Sequence, residues 1–250
     1  MTIYYTVVFF ILGSVLGSFY NVIGDRLPKH ESIITPRSHC VNCGHILSFY
    51  ELIPILSYIL LRGKCHKCYK KISIIHPLFE LLSGILFMIS FLVFGLSLKL
   101  LIALTFISLL LIVIISDYNY MIIPDEILVI GNIILIIELI ITYGIKDTGM
   151  SIINGFIAFF MMWFIKILGD FFFKRESMGG GDIKLMFTFG LILGLLNSVL
   201  SIFLASIIGL PVSLIMLRKN SSHEVPFGPY LSMAAIILFL TQFDYLSFIM

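Results

Sequence analysis

Long apolar runs, separated by short polar stretches, organise this chain. They fall near residues 2–23, 78–95, 99–116, 126–143, 149–173, 199–217 and 228–248. Coiled as helices at about 1.5 Å per residue, runs of this length cross a hydrocarbon core of about 30 Å. Helices satisfy their own backbone polar groups, which lipid cannot do. A shorter run, 183–196, lies between a glycine cluster and Asn197. It is marginal for crossing unless its surroundings are thinned or lined by protein. The pattern predicts an all-α, polytopic integral membrane protein with about eight transmembrane helices, or seven if 183–196 does not cross.

One region breaks the pattern. Residues 25–76 are polar and hold all four cysteines and eight of the sixteen Lys and Arg residues. Three domains follow: a first transmembrane helix at 1–24, a cytosolic insert at 25–76, and a membrane-embedded core at 77–250.

Composition reinforces this reading. The chain is 60% hydrophobic and 12% charged, with a mean hydropathy of +1.11, which excludes an ordinary soluble domain. No Lys or Arg precedes the first run and no small-residue cleavage site follows it. That run is expected to stay as a spanning helix. With eight spans, one side receives the insert and the loops at 117–124, 174–182 and 218–226. It then carries the eight basic residues of the insert with Lys174, Arg175, Arg218 and Lys219, against Lys99 and Lys146 opposite. The basic side is the cytosol. A seven-span count would move Arg218 and Lys219 outside and break the bias. No nucleic-acid-binding or phosphate-loop motif occurs: GxxxxGK[ST] spacing is absent around residues 179–184.

The cysteines read Cys40-Val-Asn-Cys43 and Cys65-His-Lys-Cys68. Two CxxC knuckles at this separation predict a structural Zn site of four thiolates. It would hold together an insert too small to build its own core. A cytosolic insert disfavours disulfides, and redox CxxC chemistry uses one such motif rather than two facing each other. His39, His45 and His66 flank the knuckles, but four cysteines already close the shell.

Acids near the hydrocarbon are costly and stand out for that reason. Asp117 and Asp125 bracket "DYNYMIIPD", and Asp182 follows "MGGG". Asp125, beside Pro124, fits a plain first-turn acid favoured by the helix dipole. Asp182 fits a helix N-cap, although three glycines, Gly179, Gly180 and Gly181, exceed what a cap needs and suggest close approach of another backbone. Asp117 ends an apolar helix, where the dipole disfavours an anion, so something else should compensate. Topology puts Asp117 and Asp182 at one depth. Within about 3 Å they would share a proton and divide general acid and general base between them. Proton-coupled transport through Asp117, Glu80 and Glu138 is the competing reading of the same acids.

The residues resemble a family, the type IV prepilin leader peptidases, also called prepilin peptidase/N-methyltransferases. The likeness runs in order along nearly the whole chain. "GSFYNVIGDRLP" (17–28) resembles GSFxNVxxxRLP, and 36–68 is similar to the family's cysteine-bearing loop. "HPLFELL" (76–82) resembles YPxxE, with His76 for Tyr. "DYNYMIIPD" (117–125) matches Dx6PD, "GGGDIK" (179–184) matches GxGDxK, and "PFGPYLSMAA" (226–235) matches the PFGP segment. Gly24–Asp25 replace an apolar–aromatic pair, and Asn119 stands where many members carry an acid.

The resemblance implies a bifunctional enzyme of the plasma (inner) membrane, with insert and active site facing the cytosol. It would cut the short basic leader from type IV prepilin or pseudopilin precursors serving pili, secretion or DNA uptake. It would then N-methylate the new terminus with S-adenosylmethionine. It implies Asp117 and Asp182 as catalytic aspartates, Asp125 as a less critical acid, and Cys40, Cys43, Cys65 and Cys68 as Zn ligands. Lys184 would pair with Asp182 or with a charge on the substrate. Asn21 and Glu51 are the candidates for methyl transfer. A peptidase without the methyltransferase activity is a further alternative.

Overall fold

The computed structural model describes residues 1–174, 176, 178–219 and 226–242. Among them it is helical, with no strands beyond two isolated bridges. Among the described residues, five helices are long and apolar enough to cross a membrane. The chain divides into two compact units, Met1–Leu100 and Leu101–Met250.

Unit 1 pairs α1 (Thr2–Arg26) with α3 (Ile75–Phe94). Gly13, Ser14 and Gly17 line the contact, and Ser83 and Gly84 face them. Small residues let the backbones approach closely, the usual basis of helix pairing in lipid. A Cβ at Gly13 would sit 2.6 Å from the Ser83 carbonyl oxygen, and the Ser83 hydroxyl donates to the Gly13 carbonyl at 2.7 Å. The division falls at Leu100, so α3, which packs with α1, lies in the same unit as the 25–76 insert. The insert lies between these helices and contains a short helix α2 (Leu56–Leu60).

Unit 2 is built from α4 (Leu98–Tyr120), α5 (Asp125–Phe173), α6 (Gly180–Lys219) and α7 (Gly228–Leu240). Phe106 of α4 meets Phe189 of α6 and Phe239 of α7 edge-on, with ring centroids 6.3 and 5.2 Å apart.

At 49 residues, a straight α5 would run about 73 Å, more than twice a bilayer core. It breaks at Gly144 (φ 84°, ψ 169°), a conformation only glycine adopts readily. A Cβ at Gly131, before the break, would collide with Leu109, and one at Gly155, after it, would meet Phe187 at 3.0 Å. The Phe106–Phe189 contact ties Leu109 and Phe187 to nearby levels. Gly131 and Gly155 would be about 36 Å apart in a straight helix, so the chain folds back at Gly144. α6 breaks likewise at Gly194 (φ 74°, ψ 171°). Its first arm carries the 183–196 run. A Cβ at Gly209 on its second arm would lie 3.1 Å from the Tyr230 ring, near the start of α7. Of the last apolar run, residues 243–248 lie outside the described residues, as do Arg175 and the side chains of Arg218 and Lys219.

Candidate functional site

In unit 2, Met121 (φ 55°) turns the chain sharply after α4, and the Ser116 hydroxyl donates to the Ile122 carbonyl. The turn places Ile123 inward and starts α5 at Asp125 after Pro124. Ile123 forms a wedge: a Cβ at Gly181 would meet its Cβ at 2.8 Å, and a Cβ at Gly228 would meet its Cδ1 at 3.2 Å. Gly181 precedes Asp182, and Gly228 touches Asp117. The loop after α4 thus draws the starts of α6 and α7 to the end of α4.

Both acids are buried there, Asp117 at 6% and Asp182 at 7% exposure. Asp117 Oδ2 accepts the Gly228 N–H at 3.0 Å, at the N-terminal end of α7. This is the compensation that an anion at a helix C-terminus requires: another helix turns its positive end toward it. Gly228 cannot be other than glycine without disturbing this bond, because a Cβ would lie 2.6 Å from Asp117 Oδ2. Sequence reasoning passed over Gly228 as a site residue. The PFGP string carries it, but nothing local shows that its N–H points at an acid 111 residues away.

Asp182 is not an N-cap. α6 begins at Gly180, and Asp182 lies in its first turn. The glycines also divide. Only Gly181 meets a close neighbour. A Cβ at Gly180 would meet nothing within 4 Å, and one at Gly179 only Asp182 Oδ2 at 3.6 Å. The expected close approach therefore holds for one glycine of three; among the described residues only Gly180 borders open space.

Lys184 requires a correction. It pairs with Asp125 at 2.6 and 2.7 Å rather than with Asp182. Residues two apart on a helix point to different sides, so Lys184 turns from Asp182 toward the start of α5. The side chains of Lys184 and Asp125 are 49% and 61% exposed. Glu138 accepts the Thr105 hydroxyl at 2.8 Å.

In unit 1, the four cysteine Sγ atoms lie within 4.8 Å of one another. Two near-identical turns build the cluster. Cys40 N–H donates to His45 O and Gly44 N–H to Cys40 O; Cys65 N–H donates to Lys70 O and Tyr69 N–H to Cys65 O. The residue after each knuckle, Gly44 or Tyr69, is left-handed. Asn42 links the turns, contacting Cys68 Sγ and accepting from Lys70 Nζ. The Lys70 backbone N–H favours the Cys68 thiolate and lowers its pKa to about 6. Cys43 moves oppositely: the His45 backbone favours its thiolate, but burial and the surrounding thiols push it up to about 11. Thiols that cannot all ionise together suit a metal cation. His39 and His45 bond elsewhere, to Arg37 O and Glu51.

Glu51 is held on all sides. It accepts the Ser48 N–H at 2.7 Å and the Ser48 hydroxyl at 2.9 Å, and pairs with His45 Nε2 at 3.1 Å. Burial pushes its pKa up, but these groups outweigh burial and hold it below the usual carboxylate value. The buried Asn21 amide donates to Gly17 O at 3.1 Å and His76 O at 3.4 Å, tying α1 to the start of α3. Glu80 accepts the N–H of Ile55 at 2.8 Å. Ile55 has φ 61°, a strained conformation for a β-branched residue.

Comparison with known proteins gives two family matches. Residues 11–94 match the bacterial peptidase A24 N-terminal domain, and 104–214 match the type IV leader peptidase family. The matches fall on the two sides of the division at Leu100. Among similar proteins, the prepilin leader peptidase/N-methyltransferase of Bacillus subtilis is 35% identical over 96% of both chains. That of Myxococcus xanthus is 37% identical over 90% of this chain and 69% of its own. That of Vibrio cholerae is 32% identical over 95% and 97%. No solved structure matches the chain significantly.

Proposed function

The chain belongs to the type IV leader peptidase family, and on that premise we propose how its residues divide the work. The protein is a membrane enzyme that removes the leader of prepilin-like precursors and N-methylates the new terminus. Its relatives' names describe both activities.

Asp117 and Asp182 are the catalytic pair. One observation carries this: Ile123, Gly181 and Gly228 bring two buried carboxyls from different helices to one place. Asp117 accepts an N–H at a helix N-terminus, so it is suited to hold the negative charge and take a proton from water. Among the described residues no such donor reaches Asp182, which suits it to carry the proton and polarise the scissile carbonyl. The proton passes to the departing amine, and no covalent enzyme intermediate forms. Open space beside Gly180 among the described residues supports an extended substrate backbone passing there. Asp125 and Lys184 form the outer edge.

Three finer points belong to the same proposal. The chain crosses the membrane eight times, through α1, α3, α4, both arms of α5, both arms of α6, and α7; the breaks at Gly144 and Gly194 support this count. The Lys and Arg distribution supports a cytosolic insert and active site in the inner membrane. The cluster's metal is Zn: paired sulfurs 3.8 and 3.9 Å apart fit a tetrahedron of Zn–S bonds of about 2.3 Å. Bound there, Zn would hold the insert's fold.

S-adenosylmethionine supplies the methyl group, and we place that half of the reaction on unit 1. Asn21 and Glu51, both fully engaged within the unit, act as positioning residues. The transport reading would rest on Glu80, which accepts the Ile55 N–H, and on Glu138, which accepts the Thr105 hydroxyl through Oε1 while Oε2 is buried without a partner among the described residues.

The test uses purified full-length enzyme with a leader-bearing precursor and S-adenosylmethionine. Mass spectrometry should find a mature chain, shortened and methylated. An unshortened chain would overturn the peptidase; a shortened, unmethylated chain would leave a peptidase alone.

A further inference from the structure

A cleft of about 450 Å³ opens between the two arms of α5 and the first arm of α6. On α5, Asp125, Val129, Asn132 and Ile136 line one wall, recurring every three or four residues as one helix face does. Phe156 and Phe159 of the second arm form the opposite wall. Phe187 of α6 forms the floor, held edge-on against Phe156 with centroids 5.1 Å apart. The Asp125–Lys184 pair closes one end. Asp125 lies two residues past Ile123, which packs against Gly181 and Gly228, so this end of the cleft lies near the acid pair.

We infer that this cleft seats the apolar helix of the precursor, the segment just after the cleaved junction, and so sets which substrates are cut. The inference rests on the peptidase reading above. A junction held at Asp182 leaves the following residues beside the mouth of the cleft, at Lys184 and Asp125. The stripe from Asp125 to Ile136 is about 16 Å long, room for about three turns of helix. Its walls are wide open: Val129, Ile133 and Phe156 are 56%, 54% and 51% exposed.

Asn132 argues for a peptide over a lipid tail. It lies about two turns, or about 10 Å, in from Asp125, and its Oδ1 is buried without a hydrogen-bond partner among the described residues. A buried orphan acceptor is costly, and an acyl chain has no donor to offer it. A hydroxyl or amide side chain on a substrate helix has one. The aromatic walls discriminate by shape, as apolar pockets do.

The test places a photo-cross-linking amino acid at Ile133, or at Ile134 on the far side of α5, in full-length Asp117→Asn enzyme in native membranes. The probe is a labelled precursor with leader and apolar helix. The expected result is a cross-link from position 133 to that helix, about tenfold over position 134. Equal labelling from both, or lipid adducts alone at 133, would overturn the groove. Leader removal by Asp117→Asn would instead overturn the acid pair, and the cross-link would still read the groove. As a second measurement, Phe156→Ala should raise KM for the whole precursor about tenfold with kcat unchanged. It should leave a junction peptide lacking the apolar helix unaffected; an equal loss on both substrates would also overturn the inference.

Discussion

Both units bury acids, but they treat them oppositely. In unit 1, Glu51 is saturated by Ser48 and His45, and Glu80 holds the N–H of Ile55. In unit 2, Asp117 receives one N–H, and among the described residues none reaches Asp182, while open space lies beside Gly180. A carboxylate wrapped in donors is fixed in one charge state and acts as a brace. A buried pair short of donors, facing room for another molecule, has chemistry left to do. Burial alone therefore does not mark a catalytic acid near a membrane, and unmet bonding alone does not either, since Glu138 Oε2 is also buried without a partner among the described residues; two such acids drawn to one place by Ile123 do.

The largest expected effect follows from that contrast. Asp117→Asn or Asp182→Asn should each lower leader removal about 10³-fold or more, while the protein still inserts and keeps its metal. Asp125→Asn should keep substantial activity, since Asp125 sits exposed in an ion pair. Loss with Asp125→Asn equal to that with Asp117→Asn would mean the pair is wrongly assigned. Asn21→Ala and Glu51→Gln are the mirror experiment. They should leave leader removal near its normal rate and reduce methylation of the mature N-terminus, read by mass spectrometry. Equal loss of both activities would erase the distinction between the units.

These two regions were unequally legible in the sequence. The cysteine cluster was readable because a knuckle is local: two residues of spacing fix each pair, and four thiolates then fit one metal. The acid pair could be placed only to the same depth. What joins Asp117 to Asp182 is Ile123 standing between Gly181 and Gly228, and no spacing rule reports a contact across 105 residues. The hairpin at Gly144 was foreshadowed by a gap between apolar runs. Of the two partners the sequence offers Lys184, Asp182 or a charge on the substrate, the first is not used: two residues of separation on a helix turn Lys184 away from Asp182 and onto Asp125. The packing of α3 with α1 was missed because apolar runs look alike; the small residues at 13, 17 and 83 that select the partner only gain meaning once paired.

The next effects are structural and confined to unit 1. The purified chain should carry about one Zn, and Cys65→Ser should abolish it, as elemental analysis would show. Metal-free protein with an ordered insert would refute the four-thiolate site. Gly13→Val should destabilise the α1–α3 pair by about 1–3 kcal/mol, because the added carbons meet the Ser83 carbonyl and the Phe87 ring. Thermal unfolding in detergent would register it. Glu51 adds a pH dependence. Its folded pKa lies below the ordinary carboxylate value of about 4.3. Its contribution is present above that value and fades as pH falls through the lower folded one. Glu51→Gln should flatten this acid-side loss.

The smallest effect is the sharpest test of how the acid pair is tuned. Lys184 follows the catalytic acid by two residues, and from sequence it was the obvious group to set the charge of Asp182. In the structure its ammonium is on Asp125, half exposed to solvent. Exposed pairs of this kind are worth about 0–1 kcal/mol. Lys184→Met should therefore change stability by less than about 1 kcal/mol and leave the pH profile of leader removal where it was. An effect on KM alone would fit its place at the mouth of the cleft. A shifted pH profile would mean that Lys184 reaches Asp182 once substrate is bound, exchanging one carboxylate for the other. The ion pair with Asp125 would then be the resting state of a catalytic group.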